Sequence, residues 1–158
     1  MDNYGYGGKK IEEITYAYKG TTHTDTVEFE IIDKNHDELS ELIPGYNNNS
    51  NFAGLTFRGK LTSSSIMNSG GKEWNGNSTL NGGGWAKSDM REWLNGEEFF
   101  AQLPHELQTA IKSVVKYSDN GYYDYYPGPA TLTRTNDKIF IASSAELNSF
   151  SKNQTVEG

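Results

Sequence analysis

Cysteine is missing from all 158 residues. Its absence removes a disulfide framework, a thiolate nucleophile and any cysteine metal site, and leaves the compartment open. Long apolar runs are missing as well. No stretch approaches the roughly 20 residues of a membrane-spanning helix, and the start, Met1-Asp2-Asn3-Tyr4-Gly5-Tyr6, lacks the charged and apolar regions of a signal peptide. Positive charge is scarce: 14 Lys and Arg face 21 Asp and Glu, the net charge is −7, and Lys9-Lys10 is the only paired basic run. A broad nucleic-acid surface is therefore excluded. Apolar residues make up only 34%, but 10 Tyr, 7 Phe and 3 Trp can fill a core. The 17 glycines, with frequent Asn, Ser and Thr, point to many turns rather than to disorder.

The expected organisation is a flexible lead over 1–10, one α+β domain over 11–150, and a tail or truncated continuation over 151–158. Ile14, Tyr16 and Tyr18 alternate and read as part of a strand, with a turn or bend over 21–25. Thr26 to Asp33 is the firmest strand. Val27, Phe29 and Ile31 face one way and Thr26, Glu28 and Glu30 the other, as in an antiparallel sheet with one wet face. Ile32 breaks the alternation and marks a bulge or the strand's end. Leu55, Phe57 and Gly59 alternate with Thr56 and Arg58 in a further strand. Residues 68–84 read as a long irregular stretch, Val114 to Tyr117 leads into a short strand, Asn136-Asp137 reads as a turn, and Lys138 to Ala142 reads as a strand.

Helical signals concentrate between Gly84 and Val115. Asp89 is the expected N-cap, with Glu92 three residues later as its capping-box partner. Met90, Trp93 and Leu94 share a face, and Asn95-Gly96 suits a left-handed stop. A second helix of about three turns is expected from Pro104, because Leu107, Ala110, Ile111 and Val114 recur at helical spacing. The two helices are expected to lay Trp93/Leu94 and Leu107/Ile111 on a single antiparallel sheet. Ser143 is expected to cap a short helix with Glu146 at its third position.

No catalytic set accompanies this scaffold. His36 lies among Asp33, Asp37 and Glu38, but zinc needs three or four ligands, and the Gly and terminal Glu of a calcium loop are missing. A turn held by side-chain hydrogen bonds is the expectation there, with no metal and no cofactor. Ser88 and Asp89 are explained by helix capping, and Arg91 by an acid or loop carbonyls, rather than by nucleophilic chemistry. Trp74 and Trp85 suit either stacking on a ligand or anchoring of the core. Tyr122, Tyr123, Tyr125 and Tyr126 surround Asp124 and read equally as a recognition loop or as rings lying flat on the domain.

The segment Gly84-Trp85-x-x-Ser88-Asp89-Met90-Arg91-x-Trp93-Leu94-Asn95 resembles the central signature of a bacterial family of domains of unknown function. Phe29 to Leu39, Leu103 to Ile111 and Thr135 to Ser143 resemble further family segments. The resemblance makes Trp85, Ser88, Asp89, Arg91, Trp93, Leu94, Asn95, His36 and Asp37 a structural signature. It also implies a distantly C-type-lectin-like scaffold and a secreted, surface or phage-associated setting. The usual calcium-ligating Glu-Pro-Asn or Gln-Pro-Asp segment of sugar-binding lectins is absent. Family members usually continue beyond the position of Gly158, so an open sheet edge, a homo-oligomer or a partner that completes the sheet is expected.

Three functions follow as expectations. The first is a non-enzymatic binding or structural domain whose contacts to a protein or glycan are Trp74, Tyr122, Tyr123, Tyr125 and Tyr126. The second is a carbohydrate-active or protein-modifying enzyme using His36 or His105 with nearby acids. The third is a purely structural assembly module without a concave pocket.

Overall fold

Lys19 and Gly20 decide the first layer. Both take left-handed φ, 49° and 75°, which suits a two-residue turn whose twist matches the strands it joins. The computed structural model describes residues 7–46, 50–62, 67–68, 82–119, 132–143 and 146, and the backbone alone of 72–74 and 77–79. β1 (Lys9–Tyr18) and β2 (Thr21–Lys34) leave that turn in continuous antiparallel register, from Tyr18 opposite Thr21 to Lys9 opposite Glu30. Residues 21–25 are therefore strand rather than bend, because the turn lies just before them. β3 (Leu55–Gly59) pairs with the other side of β2, so the order is β1-β2-β3. The β2–β3 register shifts between Ile31 and Asp33. Ile32 is the extra residue of this bulge, and it is buried.

The inner face of this sheet is apolar. Ile14, Tyr16 and Val27 are buried with Trp85, Leu94, Phe99, Phe100 and Leu103 in the main core. Gly59 ends β3 against this face: a Cβ there would lie 2.8 Å from both the Phe29 ring and a Val27 methyl. Asp25 shares the interior. Its carboxylate accepts from the Tyr16 hydroxyl at 2.7 Å and from the Thr62 hydroxyl and N–H. The Thr62 and Tyr16 hydroxyls hold the carboxyl below its ordinary range.

β4 (Lys72–Trp74) and β5 (Asn77–Thr79) form a small antiparallel pair with Trp74 opposite Asn77, so the stretch expected to be irregular contains regular structure. α1 (Asp89–Leu94) is capped by Ser88, one residue before the expected cap. The Ser88 hydroxyl accepts from the Arg91 N–H at 3.1 Å. Asp89 instead lies inside the helix, with its N–H on the Asn68 side-chain oxygen at 3.0 Å. The stop at Asn95 is not left-handed, since φ is −98° and ψ 4°. Its side chain does the work, donating to the Arg91 and Ile139 carbonyls.

α2 (His105–Ala110) is much shorter than three turns; Pro104 is its cap and Ile111 is already extended. Val114 belongs to β6 (Val114–Asp119), which pairs antiparallel with β7 (Leu132–Asp137). The β-branched Val114 and Val115 favour a pleated backbone. The chain there is also claimed by residues 38–40, because Ser40 N–H donates to Ser113 and Val115 N–H to Glu38. Asn136 and Asp137 end β7 instead of forming a turn, and 138–142 leave the sheet instead of forming a strand. Asn95 takes the Lys138 and Ile139 N–H groups, which a strand would have given to a neighbour. Among the described residues the result is an α+β arrangement of three separate antiparallel sheets and two short α-helices, not a single sheet.

Candidate functional site

The helices cover the inner face over β1 and β2 but leave a cleft beside β3. Its volume is about 500 Å³, within the range of ligand sites. Leu55, Phe57, Leu61, Leu107, Ile111 and Ile139 to Ala142 line it, and core residues such as Ile14, Val27, Trp93 and Leu94 border it as well. Leu55 and Phe57 remain 40% and 36% exposed. The Phe57 ring meets Phe29 edge-on at 5.7 Å. Among the described residues no backbone hydrogen bond reaches the outer edge of β3.

The charges around this cleft run against the composition of the chain. Arg58, Lys60, Lys112 and Lys138 line it, and Asp37 is the only carboxylate among the described lining residues. Arg58 is held by Glu30 at 2.7 Å. Lys112 donates to the Thr109 carbonyl at 2.6 Å, and Lys138 lies over the Phe100 ring at 4.1 Å. Lys60, Lys112 and Lys138 have no carboxylate partner among the described residues.

Asp37 belongs to a second feature behind the cleft. Its carboxylate accepts from the Thr56 hydroxyl of β3 at 2.7 Å and from the Lys116 ammonium of β6 at 2.9 Å. The same ammonium donates to Glu146 and lies 4.0 Å from the Phe140 ring centre. Glu146 also takes the N–H and hydroxyl of Ser143, while its own N–H donates to the Ser143 hydroxyl, a complete capping box. Burial pushes the Asp37 carboxyl up, but the hydrogen bonds from Lys116 and Thr56 outweigh it and hold it below the usual range. Burial likewise opposes the ionised Glu146, and Lys116 and Ser143 hold that carboxyl low. On Lys116 burial acts downward, and the hydrogen bonds to Glu146 and Asp37 raise it beyond the ordinary lysine value. His36, 3.2 Å from Asp37, completes a His-Asp-Glu group whose ligand atoms lie within 4.8 Å of one another. The ammonium already binds both carboxylates, so a metal ion would have to displace it.

A third network latches α1 to β7. Asp137 is almost wholly buried and accepts from the Trp85 indole at 2.9 Å, Arg91 Nε at 2.6 Å and the Thr135 hydroxyl at 2.6 Å. Ser88 donates to the Trp85 carbonyl at 2.9 Å, and Arg91 also reaches the Ala86 and Asn136 carbonyls. Trp93 packs against Tyr16, Tyr18 and Phe99, and its N–H donates to Ala17 of β1 at 2.6 Å.

A family model described as Domain of unknown function DUF6273 matches residues 58–158. The chain belongs to this DUF6273 family. No curated protein and no solved structure matches it. The DUF6273 match contains the Trp85-to-Asn95 latch, α2, β6 and β7; β1, β2 and the Phe29–Leu39 segment precede it.

The residues singled out in the sequence scatter over this frame. Trp85, Ser88, Asp89, Arg91, Trp93, Leu94 and Asn95 gather around α1, within the DUF6273 match. His36 and Asp37 sit with Lys116 and Glu146. His105 starts α2, exposed, with its carbonyl accepting from Thr109. Trp74 ends β4, but its side chain, like Tyr122, Tyr123, Tyr125 and Tyr126, lies outside the described residues. Lys116, Thr56 and Asp137 carried no functional motif: Thr56 read as a strand position and Asp137 as part of a turn. A lysine in a strand between Val115 and Tyr117 was the available signal, because a charge at a half-buried position calls for a partner.

Proposed function

We propose that this chain is a non-enzymatic binding domain whose receptor is the apolar cleft between β3, α2 and residues 138–142. The cleft itself carries the reading. An apolar hollow of about 500 Å³ beside a half-exposed Leu55 and Phe57 leaves surface unburied that folding alone would gain by covering. For the enzymatic alternative, His36 does converge with Asp37 and Glu146, but both carboxylates already hold the Lys116 ammonium, which favours the binding reading. A purely structural assembly module requires no concave pocket, so the cleft speaks against that reading too.

Trp74, Tyr122, Tyr123, Tyr125 and Tyr126 are proposed as outer contacts to a protein or glycan. Their support is compositional, an aromatic body with a polar tip. A bacterial surface, secreted or phage-associated setting and a distant C-type-lectin-like scaffold complete the proposal. Those rest on the resemblance of the Gly84–Asn95 segment and on short helices beside antiparallel sheets.

The test is a thermal-shift screen of peptides, glycans and anionic amphiphiles against the parent and an Ala110→Trp variant. Ala110 is exposed and lines the cleft, so the indole fills the hollow. A ligand of this site at 100 times its Kd stabilises the parent by about 2.7 kcal/mol and leaves Ala110→Trp unmoved. Equal stabilisation of both proteins, or none of either, removes the cleft from the proposal.

A further inference from the structure

We infer that the cleft takes an extended segment of a partner protein, added as a fourth strand to the outer edge of β3. The inference deepens the binding reading above and rests on it. β3 lines the cleft along its whole length, and its outer backbone groups have no partner among the described residues. Another polypeptide backbone supplies donors and acceptors at the matching repeat, and a small apolar ligand does not. Across the cleft, 138–142 also stand outside any sheet among the described residues, their first two N–H groups taken by the Asn95 side chain.

Side chains and charge define the partner further. Leu55 and Phe57 both border the cleft, while Thr56 between them turns to Asp37. An added strand would lay every second side chain against that apolar wall, so its alternate residues are apolar. Lys60, Lys112 and Lys138 stand around it without carboxylate partners among the described residues, in a chain of net charge −7. The partner segment therefore carries Asp or Glu between or beside its apolar residues. A second copy of this chain fits less well, because edge-to-edge pairing would bring its own Arg58 and Lys60 against the same cations.

The experiment pans a phage-displayed random ten-residue peptide library on the full chain and on Phe57→Lys, which puts a charge on the edge, with circular dichroism to confirm both folds. Lys60→Glu, at an exposed position, is a second variant. Expected enrichment on the parent alone is of alternating apolar and acidic peptides, weakened roughly five- to tenfold by Lys60→Glu. Two synthetic versions of the best peptide, N-methylated at odd or at even positions, then separate strand addition from mere groove filling. One should lose affinity roughly tenfold or more and the other keep it, since only alternate N–H groups face β3.

Equal enrichment on the parent and Phe57→Lys, or equal response of the two N-methylated peptides, overturns the inference. So does a parent dimer in sedimentation that Phe57→Lys disperses, which makes a second copy the occupant. Protection of the outward β3 amides from hydrogen exchange in the isolated chain also overturns it, because the chain then fills its own edge. Dodecanoate binding blocked by Ala110→Trp, with no peptide selected, refutes the strand partner yet leaves the binding function standing.

Discussion

The two edges of the three-stranded sheet are finished in opposite ways. On β1 the exposed Ile11 sits among Lys9, Lys10, Glu12 and Glu13. Near the hairpin, the Ala17 N–H donates to the Glu98 carbonyl at 2.7 Å and its carbonyl accepts from Trp93. Charge and caps of this kind keep an edge from pairing with another chain. On β3 the edge residues are Leu55 and Phe57, no described residue caps the backbone, and a cleft opens beside it. The β1 edge spends its side chains on holding the fold. The β3 edge is held from behind, through Thr56 on Asp37 and Asp37 on Lys116, and no described residue bonds its front. Where the same sheet protects one border and exposes the other, the exposed border is the place to look for a partner.

The contrast breaks most severely on the closed side. Trp93→Ala removes the indole from Tyr16, Tyr18 and Phe99 and leaves the Ala17 carbonyl uncapped. A loss of about 3–4 kcal/mol is expected in urea unfolding. A change below about 1 kcal/mol would mean that α1 does not hold the β1 border. On the open side Lys116→Met strands two carboxylates against each other with Asp37 buried, and about 3 kcal/mol should be lost. Full stability in that variant would place the tether of β3 elsewhere.

Acidity sharpens the same comparison. The folded carboxyls of Asp25, Asp37 and Glu146 lie below their unfolded values. Their contribution is complete above the ordinary carboxylate range, about pH 4, and disappears as pH falls through the depressed values. Lys116 is raised, so its contribution is complete below the ordinary lysine value, about 10.4, and is lost as pH rises through the folded one. Urea unfolding from pH 2 to 11 should show a plateau with both flanks. Lys116→Met should lose the alkaline shoulder and flatten the acid one. An unchanged profile in the variant would detach the pH response from this cluster.

The smallest effect is expected at the open border itself. Phe57→Lys should cost no more than about 1 kcal/mol, because the ring is already partly in water. A loss above about 3 kcal/mol, the scale of a core substitution, would show that Phe57 belongs to the core and that the edge is not free.

Much of the outline was readable from local pattern. The alternation of Thr26 to Ile31, the break at Ile32 and the reciprocal capping of Ser143 by Glu146 each involve neighbours within four residues. Errors arose where distant chain competes. The helical spacing from Leu107 to Val114 continues past Ala110, but residues 38–40 draw Ser113 and Val115 into extended pairing. The run from Lys138 to Ala142 has strand composition, but Asn95 takes its first two N–H groups. Asn75-Gly76, a hairpin dipeptide between Trp74 and Asn77, was the local signal against the irregular stretch expected over 68–84, where β4 and β5 pair. Of the cleft, nothing was readable, since its lining joins Leu55 to Leu61 with Leu107, Ile111 and Ile139 to Ala142, far apart in the chain.

Residue order alone settled the antiparallel character, the lack of cysteine chemistry and the acidic balance, because each depends on periodicity or on counting. Folding settled which edge stays open, which lysines gather around it, and that Lys116 sits between Asp37 and Glu146. Those outcomes depend on side chains far apart in the chain meeting across a shared low-dielectric space, where one charge changes what its neighbours can do.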